Sequence, residues 1–106
     1  MKTIWDPQAR QSMRQIARYI QARFGSTTRK SFVQKVKDAE NLVKGNPDIG
    51  LLDPLFAGRK RPYRSVIIYG LSKMVYFADE NTIYIAAFWD TRKEPIRQAQ
   101  QVNDKF

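Results

Sequence analysis

The chemistry open to this chain is set by what its 106 residues include and what they lack: 19 Lys and Arg, 10 Asp and Glu, and neither His nor Cys. Without Cys there is no disulfide, no thiolate nucleophile and no soft-metal site. Without His, the usual proton shuttle near neutral pH is missing, as is the commonest ligand for zinc, copper or nickel. Ser-His-Asp and Cys-His devices are excluded. Chemistry, if any, falls to Lys, Arg, Tyr, Asp, Glu, Ser or Thr. The late carboxylates Asp79, Glu80, Asp90, Glu94 and Asp104 have a spacing that matches no oxygen-ligand loop. No metal site and no cofactor is expected.

The cations are the distinctive feature. Net charge is +9, and residues 1–64 hold all of the surplus, with 14 basic against 5 acidic side chains. Residues 65–106 hold 5 of each. A surplus confined to one part of a chain suits an acidic or polyanionic partner. Arg10, Arg14 and Arg18 recur at every fourth position, which makes one stripe of a helix. That stripe suits an acidic protein segment or nucleic acid, and a plain solvated face accounts for it equally well. Arg59-Lys60-Arg61, with Arg64 just beyond, forms a second basic cluster.

The elements that must position these residues follow from hydrophobic period and from Gly, Pro and capping residues. Residues 2–5 read as a short strand. Asp6-Pro7 is a helix start, with Asp6 as cap and Pro7 at the first helical position. Ala9, Met13, Ile16, Ala17, Ile20 and Phe24 mark the apolar face of that helix, and Gly25 stops it. Ser26 or Thr27 can cap a second helix with Phe32, Val33, Val36, Ala39, Leu42 and Val43 on its inner face. Gly45-Asn46-Pro47 ends it. So short a link dictates an antiparallel helical hairpin. Pro47, Gly50, Pro54, Gly58 and Pro62 make residues 47–62 irregular, with Leu51, Leu52, Leu55 and Phe56 expected to tuck into the core edge. Strands are predicted over residues 63–69, 73–78 and 82–89, with a bend at Gly70-Leu71-Ser72 and a tight turn at Asp79-Glu80-Asn81.

The class is therefore α+β, in the order β-α-α-β-β-β. A helical hairpin packs on one side of a twisted antiparallel sheet, and the opposite sheet face is left free for function. Residues 1–95 are expected to form one domain and residues 96–106 a polar tail. No apolar run is long enough to span a membrane, and the first residues lack the apolar stretch of a secretory signal. The expected setting is the cytoplasm.

This order of elements, with several local motifs, resembles the RelE/ParE superfamily of toxins from type II toxin–antitoxin systems. The motifs are Ile4-Trp5-Asp6-Pro7-Gln8-Ala9, Ile16-Ala17-Arg18-Tyr19-Ile20, Phe24-Gly25, Phe32 with Val36, Asn46-Pro47 and Gly50. They continue with Arg61-Pro62-Tyr63-Arg64-Ser65, Lys73-Met74-Val75-Tyr76 and Trp89-Asp90-Thr91-Arg92. The resemblance runs from Ile4 to about Pro95. It implies a cognate antitoxin whose extended C-terminal segment wraps the toxin, hence a hetero-oligomer, with the Arg10, Arg14 and Arg18 stripe as an antitoxin-binding candidate.

The superfamily divides by target. RelE-like members cut mRNA on the ribosome without a metal, and ParE-like members poison DNA gyrase. In the RelE-like case the resemblance assigns catalytic roles to Arg64, Lys73 and Arg92. Val66 stands where a second basic residue belongs, and Gln98 stands near the place of a late Tyr. The three cations could still form a phosphate-binding patch, with Tyr69, Tyr76 and Trp89 to stack on bases. The alternatives are core packing for the aromatics, a sheet ion pair for Arg64, and pairing with Asp90 or Glu94 for Arg92. The eroded set favours a ParE-like toxin that inhibits growth by poisoning gyrase. Arg59, Lys60, Arg61, Arg64 and Arg92 are then the candidates for target or nucleic-acid contact. The alternatives are a RelE-like, metal-independent, ribosome-dependent mRNA endoribonuclease, and a non-toxic basic module that binds nucleic acid.

Overall fold

In the computed structural model, which describes residues 1–68, 70, 72–92, 99–100 and 102, the chain opens with strand β1 (Lys2–Trp5). It turns at Asp6 into helix α1 (Pro7–Phe24). The Asp6 carboxylate accepts a hydrogen bond from the Gln8 N–H at 3.1 Å, and Pro7 takes a position where a missing N–H costs nothing. Helix α2 (Ser26–Gly45) follows after a single residue, Gly25. The expected Ser26 or Thr27 cap is not used. Gly25, at φ 93°, both closes α1 through its N–H to the Gln21 carbonyl and opens α2 through its own carbonyl to the Arg29 N–H. A one-residue link with left-handed φ leaves no room for a separate cap.

Strands β2 (Leu51–Leu52), β3 (Arg64–Ile68), β4 (Ser72–Asp79) and β5 (Thr82–Asp90) complete a five-stranded sheet in the order β1-β5-β4-β3-β2. Strands β2 to β5 are antiparallel, as expected. β1 instead lies parallel to β5, so the sheet is mixed. The helical hairpin carries the chain from β1 across one sheet face to β2 at the opposite edge, and the antiparallel steps β2-β3-β4-β5 then bring β5 back beside β1 in the same direction. β4 and β5 turn at Glu80 and Asn81, with Glu80 in left-handed backbone at φ 54°.

Register shows a bulge in β5. Val75 pairs with Ala87 while Tyr76 pairs with Ile85, so Ala86 is the extra residue. Its effect is to change which side chains face the helices. Ile83 and Ile85 do so before the bulge and Phe88 after it, which turns Trp89 to the far side.

The helix-side core joins Ala9, Ala17, Phe32, Val36 and Val43 to Ile68, Met74, Tyr76, Ile83, Ile85 and Phe88. Burying a side chain such as Phe32 stabilises the fold by about 1.5–3 kcal/mol. The far sheet face is not free, contrary to expectation. Residues 53–63 fold back over it as a strap that contains a 3-10 turn, Pro54–Phe56. Phe56 and Tyr63 bury themselves there against Val75, Phe77, Ala86 and Ala87, joined by Ala99. Their rings form a chain of contacts, with Phe56 4.8 Å from Tyr63 and Tyr63 5.4 Å from Phe77. Most of the expected polar tail lies outside the described residues. Of its described residues, Ala99 and Val102 pack on this second core.

Leu51 and Leu52 also depart from expectation. They are 80% and 60% exposed, because they form the outermost strand and among the described residues nothing packs beyond them. Among the described residues no helix is long and apolar enough to cross a membrane.

Candidate functional site

The three cations singled out for chemistry are not brought together. Arg64 begins β3 on the helix side of the sheet, in register with Tyr76. Its guanidinium donates to the Gly50 carbonyl at 2.8 Å and lies 3.7 Å from the Asp48 carboxylate. Lys73 lies one strand over, beside Trp89, and projects from the opposite face. Its ammonium sits 2.7 Å from Asp53 Oδ2, with the two side chains 14% and 3% exposed, and 5.4 Å from the centre of the Trp89 ring. The other Asp53 oxygen accepts the Leu55 N–H at 3.0 Å, capping the 3-10 turn. Lys73 thus fastens the strap to β4.

Arg92 lies two residues beyond β5. Its Nε and Nη2 contact both Asp90 carboxylate oxygens, at 3.0 and 2.7 Å. The hydrogen bonds that Arg92 donates to Asp90, and then the Asp90 charge, hold the guanidinium above its ordinary pKa. The side chain remains 62% exposed.

The basic cluster divides in the same way. Arg59 donates to the carbonyls of Ala99 and Val102 and lies over the Phe56 ring. Arg61 reaches Asp79 at 3.3 Å and lies over Phe77. Lys60 points to solvent. Two of these three cations therefore brace the strap.

Of the aromatics, Tyr76 is fully buried on the helix side. Its hydroxyl donates to the Pro47 carbonyl at 2.7 Å and accepts the Gly50 N–H at 3.0 Å, so it has no face for a base. Burial raises its pKa above the ordinary 10.0, and the Gly50 hydrogen bond works against that rise. Trp89 stacks on Phe56 at 6.1 Å. Tyr69 and Gln98 lie outside the described residues, as do Leu71 and Glu94.

Arg10, Arg14 and Arg18 form an exposed stripe along α1, away from the buried Ala9 and Ala17. Helix α1 contains no acidic residue to neutralise them. Arg10 lies 5.0 Å over the Trp5 ring, and the Trp5 indole N–H donates to Glu40 at 2.9 Å, joining β1 to α2. Among the described residues no group of three or more carboxylates could hold a metal.

Sequence reasoning missed Asp53, although the signal was present. Asp53-Pro54 repeats the Asp6-Pro7 cap pattern, and it marks the turn from which the carboxylate reaches Lys73. As placed, these side chains offer a cationic helix face and a strap braced by ion pairs. They do not offer several cations around one phosphate.

Comparison with known proteins bears on the same architecture. The fold matches a chain described as the chromosomal ParDE TA system from P. aeruginosa, with a TM-score of 0.67 and 13% sequence identity. The match covers 85% of this chain and 95% of that one. No curated protein matches the sequence. The family described as ParE toxin of type II toxin-antitoxin system, parDE, matches residues 3–95. The chain therefore belongs to the ParE toxin family of type II toxin–antitoxin systems.

Proposed function

We propose that this chain stops bacterial growth by binding DNA gyrase through protein contact, without cutting RNA, and that an antitoxin holds it inactive in a cytoplasmic hetero-oligomer. The observation that carries the reading is the separation of Arg64 from Lys73. Metal-free RNA cleavage needs a base and several cations around one scissile phosphate. Here Arg64 and Lys73 project from opposite sheet faces, and each is held by a carboxylate. Val66 supplies no basic group between them. Target contact then falls to cations that still reach solvent, with Arg92 and Lys60 foremost.

The test is controlled expression in a bacterial host. The expected result is growth arrest with intact messages and loss of supercoiling by purified gyrase. Message ends clustered at ribosomal A-site codons would replace this reading with the endoribonuclease one. Undisturbed growth at good expression would leave only a basic binding module. Arg92→Ala is expected to weaken arrest while leaving the stability of the fold essentially unchanged, as for other exposed ion pairs. Full toxicity in the folded variant would remove Arg92 from the contact.

A further inference from the structure

The edge strand β2 is unusual in so basic a chain, because it is both apolar and locally neutral. No Lys or Arg lies between Lys44 and Arg59. The two acids of that stretch are already matched, Asp48 by Arg64 at 3.7 Å and Asp53 by Lys73 at 2.7 Å. Four large apolar side chains stay exposed here: Ile49, Leu51, Leu52 and, from the neighbouring β3, Ile67. Leu51 pairs with Ser65, so Leu51 and Ile67 share the far sheet face. Exposed apolar side chains gathered in this way mark a protein contact.

The backbone of β2 narrows the choice of partner. The Asp53 N–H bonds to the Tyr63 carbonyl, and Leu51 pairs with Ser65. In an antiparallel ladder this phase turns the N–H and C=O of Leu52 out of the sheet, and among the described residues nothing receives them. The outward positions on either side are closed. The Gly50 N–H bonds to the Tyr76 hydroxyl, and its carbonyl accepts from Arg64. Pro54 has no N–H, and its carbonyl accepts the Ala57 N–H. A strand from an unrelated chain would find one residue to pair with and no continuation. A second copy of this chain needs only one. With a two-fold axis beside Leu52, each Leu52 N–H meets the Leu52 carbonyl of the other copy. Gly50 then comes opposite Pro54, and neither brings an unused N–H to the contact.

We infer that the β2 edge is a self-association site, where a second copy of this chain docks antiparallel through Leu52. Charge agrees with that occupant. A net charge of +9 opposes self-association over much of the surface, but at β2 each copy has already paired its own charges. β1 at the opposite edge contains Lys2 and adjoins Arg10, so the same approach there would set like charges together. An isologous contact occupies the β2 edge of both copies, so association stops at the dimer. The arginine stripe of α1 stays free in both copies.

The test is sedimentation velocity on the isolated chain across a concentration series. The expected result is a monomer–dimer equilibrium with a Kd of about 10 μM, as suits a small contact. Leu52→Pro removes both axial hydrogen bonds and should weaken the dimer at least about tenfold. The Tm of the monomer should hold, because proline is tolerated where an edge N–H faces outward. Should that variant fail to fold, Leu52→Cys decides, since the chain has no Cys of its own. Residues paired in this way have Cα atoms about 5.5 Å apart, within reach of a disulfide, so mild oxidation should link two copies. Ile4→Cys, at the opposite edge, should remain unlinked. A chain that stays monomeric, a dimer that survives Leu52→Pro unchanged, or oligomers larger than two would each overturn the inference. Linking through Ile4→Cys in preference to Leu52→Cys would move the contact to β1 and overturn it as well.

Discussion

Lys73 shows how far a residue type alone carries an argument. Its position on a strand was legible, and so was its charge. The partner that decides its role lies twenty residues earlier in the chain, and only the folding back of the strap brings the two together. Breaking one half of a largely buried ion pair strands the other charge. Lys73→Met is therefore expected to cost about 2 kcal/mol in urea unfolding, below the range for fully buried pairs because Lys73 keeps some contact with water. Lys73→Met combined with Asp53→Asn should recover part of that loss, since Asn still caps Leu55. A double-mutant cycle should give a coupling of at least about 1 kcal/mol, and additive effects would show that the two groups do not act as a pair. Tyr76 gives a second expectation at this scale. Its folded-state pKa lies above the ordinary 10.0, with burial as the main cause. The unfolded chain then loses this proton first, so the contribution to stability is intact below pH 10 and declines as pH rises beyond it. Tyr76→Phe should remove that part of the alkaline decline and lower stability near neutral pH through the lost bonds to Pro47 and Gly50. Equal alkaline slopes in the two proteins would count against the assignment.

At the scale of elements, the helices were the most legible part. Their apolar period, the Asp6-Pro7 start and the Gly25 stop are local signals, and α1 and α2 begin and end within a residue or so of where those signals fall. The three strands after the strap were also readable from β-branched and aromatic residues. The parallel pairing of β1 and the bulge at Ala86 were not, because each depends on a register between distant segments. The far sheet face illustrates the same limit. Phe56 and Tyr63 could be recognised as apolar, but nothing local says that the loop carrying them covers the sheet. Gly50 is where these elements meet. A Cβ built there would stand 2.7 Å from the Tyr76 hydroxyl oxygen and 3.0 Å from the Ser65 carbonyl. Tyr76 is itself locked by its hydrogen bonds, so it has little freedom to yield. Gly50→Ala is expected to destabilise the fold by about 1–3 kcal/mol, the usual cost of overpacking. A crystal structure of the variant should show the hydroxyl displaced from Pro47. A variant as stable as the parent, with Tyr76 unmoved, would mean that the backbone around residue 50 relaxes freely.

For the molecule as a whole, the asymmetry of charge is plain in the order of residues alone. What the fold adds is a sorting of the cations. Arg59, Arg61, Arg64 and Lys73 are turned inward to carboxylates, carbonyls and rings, where they hold the strap and the start of β3. The stripe on α1 is left facing solvent with no acid in its own helix. A solvent-facing, unneutralised row of this kind acts at long range, so its effect belongs to the approach of a partner more than to the final contact. Changing Arg10, Arg14 and Arg18 together to Gln lowers the net charge from +9 to +6 without touching the buried face. Association with the antitoxin measured by stopped flow should then slow about tenfold at low ionic strength, with little change in dissociation. The difference between parent and variant should shrink as salt shortens the screening length to a few ångströms. A variant whose dissociation accelerates while association holds would place the three arginines in intimate, desolvated contact. Steering would then rest on the lysines of α2.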